Sequence, residues 1–127
     1  MANSQIFSAV LRIGDVAMAR AALEAALGIT LERYEPARTG SLHYAQVALP
    51  IEKDVWAAIL DCVRALGPQI SVLRQECLIG STCIDLAVSC AEGQMTLSVL
   101  VPSYAAEAIG RYGIDIEFTV FPTSDDE

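Results

Sequence analysis

The chain has 127 residues, of which 54% are hydrophobic, and its 16 acidic and 8 basic side chains give a formal net charge of −8 at pH 7. This length predicts that residues 1–127 form a single domain, which can bury a core without disulfides or metal ions. The acidic balance argues against nucleic acid as a partner, because binding a polyphosphate needs clustered Lys and Arg. It is compatible with a basic protein partner, and also with solubility alone.

The compartment and the cofactors are predicted from what the sequence lacks. The N-terminus has no basic start followed by an apolar run, and no uncharged run reaches the roughly 18–20 residues that span a bilayer. We therefore expect a cytoplasmic protein that crosses no membrane. The spacing of the four cysteines does not match a zinc site, so we predict four free thiols that pack as small apolar residues, and no metal or other cofactor. They are Cys62, Cys77, Cys83 and Cys90.

The chain opens with a predicted strand, a helix and a second strand. Alternation predicts the first strand over Ile6–Ile13. Apolar residues at helical spacing then predict a helix from Val16 to the glycine stop at Gly28. The second strand is predicted over Ile29–Tyr34. The inward face of the first strand is predicted to carry Phe7, Ala9, Leu11 and Ile13.

A third strand and a long helix follow the polar loop. The strand is predicted over Leu42–Leu49. The helix is expected to start at Pro50, which suits a first helical turn, and to end at Gly67-Pro68. Its apolar stripe places Trp56 at the edge of the buried face.

The middle of the chain predicts an antiparallel meander of three strands, Ile70–Ile79, Thr82–Cys90 and Met95–Val101. Gly80-Ser81 has the signature of a type II′ hairpin. That register sets Glu76 opposite Asp85 on the polar face of the hairpin, with Arg74 diagonal to Asp85. The sequence therefore predicts a first acidic row at Glu76 and Asp85.

The chain ends in a short helix opened by Pro102-Ser103 and a last strand over 114–120. Asp115 and Glu117 alternate with apolar residues of that strand and predict a second acidic row. Residues 122–127 are expected to be a frayed acidic tail. The complete order, β-α-β-β-α-β-β-β-α-β, predicts an α+β fold with a mostly antiparallel sheet, about three helices and a ferredoxin-like opening.

Three stretches resemble the family catalogued as domain of unknown function 4279. They are the second helix with Trp56, the Leu-rich meander, and the ending from Leu97-Ser98-Val99-Leu100 to Gly113-Ile114-Asp115-Ile116-Glu117-Phe118. The resemblance implies a short helix, a glycine and a strand that alternates aliphatic residues with aspartates, and it implies no catalytic residues. In size and charge the chain is also similar to the immunity proteins that accompany contact-dependent toxins, which is an analogy and not a motif match.

No constellation of residues predicts catalysis. His43 is the single histidine, and which cysteine reaches it is open, so we interpret it as an ordinary strand histidine. Ser103 lacks a Gly-x-Ser-x-Gly elbow and is predicted to be a helix cap. Phosphate-binding glycine loops do not occur. We therefore expect a binding protein and not an enzyme.

The leading hypothesis is an immunity protein that neutralises a cognate bacterial toxin by direct binding, with acidic residues meeting a basic toxin surface. A solvated sheet face without a partner is the other interpretation of both acidic rows. The alternative function is a small-ligand-sensing or oligomeric regulatory domain, by analogy with other ferredoxin-like sheets. The sequence predicts no particular oligomeric state. The predicted partner-binding residues are Glu76, Asp85, Arg74, Asp115 and Glu117.

Overall fold

A computed structural model describes residues 5–40, 42–94 and 96–123. These residues form one five-stranded sheet and three α-helices in the order β-α-β-β-α-β-α-β, which confirms the predicted α+β class. The strands are β1 (Ile6–Val16), β2 (Arg33–Glu35), β3 (His43–Leu49), β4 (Thr82–Ala91) and β5 (Asp115–Thr123). The helices are α1 (Arg20–Leu27), α2 (Val55–Gln75) and α3 (Ser103–Arg111).

The strands lie in the order β2-β3-β1-β4-β5, and the first four of them have the predicted ferredoxin-like arrangement. β1 is antiparallel to both β3 and β4, and β2 is antiparallel to β3. β5 is parallel to β4, and α3 makes the crossover that a parallel pair requires. The two edges of the sheet are therefore the three-residue β2 and the nine-residue β5.

The core lies between the helices and one face of the sheet. At its centre Leu11 of β1 lies between Val47 of β3 and Ile84 of β4, and none of the three is more than 5% exposed. Trp56 is 1% exposed, so the predicted position at the edge of the buried face is wrong. It lies in the first turn of α2, where it contributes to the same core.

Two irregularities in β1 change which side chains face the core. The register shifts between Ile6 and Ser8, and this bulge buries Ile6 and leaves Phe7 exposed, against the prediction. A second shift lies between Ile13 and Val16. Because Val16 still pairs with β3, α1 begins four residues later than predicted.

The loops at the helix ends explain other boundary differences. Gly28 adopts a φ of 70° and ends α1 as predicted. Asp54 caps α2 by accepting the Ala57 N–H, so α2 starts after the predicted Pro50. Ser103 is the first residue of α3 and makes no side-chain cap, contrary to prediction.

The predicted hairpin is wrong, because residues 70–75 of its first strand form the end of α2. This helix continues through Gly67-Pro68 to Gln75. Ile70 and Leu73 are buried and continue the apolar stripe of Leu66 at spacings of three and four residues. Burying such side chains contributes about 1.5–3 kcal/mol each, which offsets the roughly 3 kcal/mol that an internal proline costs.

α2 ends in a Schellman motif. The Leu78 N–H donates to the Leu73 carbonyl at 2.9 Å, and the Cys77 N–H donates to the Arg74 carbonyl at 3.1 Å. Cys77 adopts a φ of 59°, at the position where glycine is usual. The chain therefore ends a helix at Gln75, inside the stretch Ile70–Ile79 that the sequence predicted to be a strand.

The predicted strand Met95–Val101 is not part of the sheet, and Met95 itself lies outside the described residues. Residues 96–101 nevertheless alternate, since Leu97, Val99 and Val101 pack against the core. β5 continues past the predicted end at residue 120 to Thr123, so the prediction of a frayed tail is wrong for residues 122 and 123. Residues 124–127 of the predicted acidic tail lie outside the described part of the chain.

α2 is also longer than the apolar runs in the sequence suggest. Among the residues that the structure describes, it alone has the length and mean hydropathy, 1.2, of a candidate membrane span. Half of the stretch of α2 over which this hydropathy is averaged is buried inside the protein. The central helix of a folded core has the same composition.

Candidate binding surface on the open sheet face and the β5 edge

The face of the sheet opposite the helices carries polar side chains on every strand. The pairing places Asp85 beside Glu117 and next to Val10 of β1. One row of neighbours crosses the whole sheet, from β2 through β3, β1 and β4 to β5. It consists of Arg33, Gln46, Arg12, Cys83 and Asp115.

Asp85 lies near the centre of this face and is almost buried, with 10% of its side chain exposed. Its Oδ2 lies 2.6 Å from Nη2 of Arg12, and its Oδ1 accepts a hydrogen bond from the Thr119 hydroxyl at 2.8 Å. Both oxygens are therefore held by charge-assisted hydrogen bonds. The negative charge of Asp85 is compensated within the protein, by Arg12 and not by Arg74 as predicted.

Arg74 and Glu76 belong to the end of α2 and not to a strand. Arg74 Nη1 donates to the Gly113 carbonyl at 2.6 Å and to the Tyr112 carbonyl at 3.5 Å. These bonds fasten α2 to the turn between α3 and β5. The predicted row of Glu76 opposite Asp85 is wrong, because Glu76 is the C-cap of α2 and Asp85 pairs with Val10 and Glu117 instead, although Glu76 itself is exposed.

Asp115 and Glu117 lie where the second predicted row placed them, exposed on the open face of β5. Asp115 is the neighbour of Cys83, and Glu117 is the neighbour of Asp85. Within residues 5–40, 42–94 and 96–123, neither carboxylate has a basic side chain within 4.0 Å. Their charge is therefore uncompensated, and whether they bind a partner stays a prediction.

Burial and this negative charge both affect the pKa of the Cys83 thiol. Burial raises the pKa of Cys83 above its ordinary value of 9.0, and Glu117, Asp115 and Asp85 raise it further. Arg12 opposes the rise without cancelling it. Cys83 is therefore a neutral thiol at physiological pH, which does not suit a nucleophile.

The same edge exposes apolar side chains. Phe118 is 38% exposed, Val120 49% and Phe121 46%. The ring of Phe121 meets the ring of Phe7 edge-on, with centroids 5.8 Å apart. In the described part of the chain no strand pairs with the outer side of β5. A long apolar edge strand is a template for pairing with another chain.

A cleft of about 390 Å³ lies beside the second bulge of β1. Asp15 in that bulge adopts a φ of 53°, a strained conformation for a residue other than glycine. Nδ1 of His43 accepts the Ala37 N–H at 2.9 Å, which leaves Nε2 as the donor of the neutral ring. The Tyr44 hydroxyl donates to Gln46, and burial raises its pKa. The titratable side chains that line the cleft are Asp15, Glu35, Arg38, His43 and Tyr44.

Sequence reasoning missed the contacts of Arg12 with Asp85 and Thr119. The available signal was Arg12 itself, a charged residue that alternates with buried positions of β1. Among the described residues no group of three or more His, Cys, Asp or Glu side chains could hold a metal ion. The four cysteines are all free.

A comparison of the chain with protein-family models, curated proteins and solved structures finds no match. The likeness to domain of unknown function 4279 therefore stays a prediction.

Proposed function

We propose that the protein is an acidic binding protein of the cytoplasm that neutralises a cognate bacterial toxin by covering a basic surface of it. The observation that carries this proposal is the pair of exposed, uncompensated carboxylates at Asp115 and Glu117 on the edge strand β5. The net charge of −8 supports it, because an opposite field accelerates association with a basic partner. A toxin that acts on nucleic acid needs a basic cleft, and an acidic surface can occupy that cleft as a decoy.

The fold presents these carboxylates rigidly. β5 pairs with β4 in an unbroken register from Asp115 to Thr123. The buried Ile114 and the half-buried Ile116 anchor the start of the strand in the core. A pre-ordered strand loses little conformational entropy when it binds, so its charges contribute more of their interaction energy to affinity.

The arrangement supports binding better than catalysis. A nucleophile needs a base within hydrogen-bonding reach. Nδ1 of His43 instead accepts a backbone N–H, and Cys83 is a neutral thiol with a raised pKa. The guanidinium of Arg12 already forms an ion pair with Asp85.

The test is co-expression with a toxin, sought among the products of neighbouring genes, using the double variant Asp115→Lys/Glu117→Lys. The matched control is Glu52→Lys/Asp61→Lys, which changes the net charge equally at two other exposed positions. We expect the β5 variant to lose protection while the control protects fully, with both variants folded by thermal melting. Full protection by the β5 variant, or equal loss in both, would contradict the proposal.

A small-ligand-sensing domain is the second candidate, and the cleft beside Asp15 and His43 supports it. Arg38 and the Nε2–H of His43 are donors for an anionic group, and Asp15 is an acceptor for a cationic one. Thermal-shift measurements with a panel of zwitterionic and anionic metabolites test this candidate. A stabilising compound whose effect disappears in Arg38→Ala supports ligand sensing, and no stabilisation by any compound contradicts it.

A further inference from the structure

We propose that the free edge of β5 receives an extended segment of the partner as an added strand, in which basic and apolar side chains alternate. This inference rests on the proposed function, because it assumes a basic protein partner. It adds to that function the conformation and the side-chain pattern of the segment of the partner that binds. Strand addition of this kind takes its affinity from main-chain hydrogen bonds and its specificity from alternate side chains.

The backbone of β5 shows which groups point to the free edge. The N–H of Glu92, which follows β4, donates to the Thr123 carbonyl at 3.0 Å. Thr123 and every second residue before it therefore direct their N–H and C=O groups towards β4, because bonding direction alternates along a strand. The intervening residues direct theirs to the free edge. These edge-facing residues are Ile116, Phe118 and Val120.

Pro122 fits this alternation. It lies two residues after Val120, so its backbone groups point to the same side. Its missing N–H therefore lies on the free side and breaks no bond to β4. Proline at the end of an edge strand limits further pairing there. The free edge therefore runs from Ile116 to Val120, a length suited to a short segment.

The two sides of this edge require different side chains. On the helix side, Phe118 and Val120 are each more than a third exposed, and an added strand with apolar residues would cover them. On the open side, Asp115 and Glu117 have no basic neighbour among the described residues, and Lys or Arg on an added strand would reach them. Because side chains alternate between the faces of a strand, the segment alternates basic and apolar residues.

A partner segment fits this edge better than a second copy of the chain. Two copies would each carry a net charge of −8, and like fields slow association. The other edge of the sheet, β2, has only three residues, and its Arg33 and Glu35 already pair with each other. It therefore offers no basic strand for head-to-tail addition.

The decisive variant is Val120→Pro, which removes one edge-facing N–H and leaves the hydrogen bonds to β4 in place. Its matched control is Val120→Thr, which keeps that N–H and nearly keeps the side-chain shape. The probe is a labelled peptide of alternating Lys and Val, and its control has the same composition with Lys and Val in separate blocks. We expect wild type and Val120→Thr to bind the alternating peptide about tenfold more tightly than the block peptide, and Val120→Pro to lose that preference.

Other outcomes would overturn strand addition. Equal affinity for both peptides would leave only charge attraction, and an unchanged preference in Val120→Pro would exclude the backbone edge. A wild-type dimer in sedimentation that dissociates in Val120→Pro would make a second copy the occupant instead. The variant Asp115→Asn/Glu117→Gln separates the two proposals. If it alone weakens binding, strand addition fails and charge recognition stands. If Val120→Pro alone weakens binding, a strand is added at the edge of β5, but the proposed function fails and with it the basic side chains of the proposed segment.

Amide hydrogen exchange of the wild-type protein provides a second readout that needs no variant. In the free protein, we expect the amides of Ile116, Phe118 and Val120 to exchange faster than those of Glu117 and Thr119. The alternating peptide should slow exchange of the three edge-facing amides at least about tenfold, as their hydrogen bonds form. Binding without this alternating gain of protection would overturn the proposal.

Discussion

Replacing Asp85 by alanine tests whether this carboxylate is a structural group. The change removes the hydrogen bonds from Arg12 and Thr119, and bonds to a charged group contribute about 1.5–3 kcal/mol each. Arg12 is 47% exposed, so water recovers much of what that side chain loses. We therefore expect a loss of about 2–3 kcal/mol, below the roughly 3–5 kcal/mol for breaking a fully buried pair.

Urea unfolding measures this loss directly. With a slope of about 1–3 kcal/mol per molar urea, the Asp85→Ala midpoint should fall by roughly 0.7–3 M while the slope stays unchanged. The control is Glu76→Ala at the exposed end of α2, which should stay within about 0.5 kcal/mol of wild type. An Asp85→Ala midpoint equal to that of the control would refute the reasoning from the contacts of Asp85.

Three further predictions follow from local geometry. Cys77→Gly should stabilise the protein by about 1 kcal/mol in urea unfolding, because Cys77 adopts a left-handed conformation at the end of α2; an unchanged midpoint would contradict this. Gly67→Ala should destabilise the protein by about 1–3 kcal/mol, because the Cβ of the new alanine would meet the Tyr112 ring. Gly110→Ala in α3, where an added Cβ meets nothing, should be neutral or stabilising. Cys83 should alkylate more slowly than the exposed Cys77 at pH 8, because its raised pKa lowers the thiolate fraction, and mass mapping that found equal rates would disprove it.

The ferredoxin-like part of the fold could be predicted because its signals are local. Alternation marks the middle of β1 from Ala9 to Ile13 and the end of β3, and Gly28 provides the left-handed residue that ends α1. These signals depend on residues only a few positions apart in the sequence, so distant parts of the chain do not alter them. The start of α2 could not be predicted in this way, because the cap at Asp54 competes with an earlier candidate at Pro50.

The hairpin prediction failed because a local stop signal was weaker than packing. Gly67-Pro68 normally ends a helix, but Gly67 is needed for close contact with Tyr112, and the proline ring lies at an exposed position. The continuous spacing from Val55 to Leu73 was the competing signal, and burial of that stripe decided the outcome.

The candidate surface was predictable only where it depended on one strand. Alternation in β5 correctly placed Asp115 and Glu117 together on the exposed side. The partner of Asp85 could not be found in this way, because Arg12 reaches it across the pairing of β1 with β4. That register is set by non-local pairing and a bulge, which single-strand periodicity does not encode.

The central claim, that the carboxylates on β5 recruit a basic toxin, is tested most directly by association kinetics at two salt concentrations. Wild type is compared with Asp115→Asn/Glu117→Gln and with the control Glu52→Gln/Asp61→Asn. We expect the β5 variant to associate about tenfold more slowly than wild type at low salt, with a shallower dependence on salt, and the control to remain close to wild type. Indistinguishable rates and salt dependence for the β5 variant and wild type would contradict the claim.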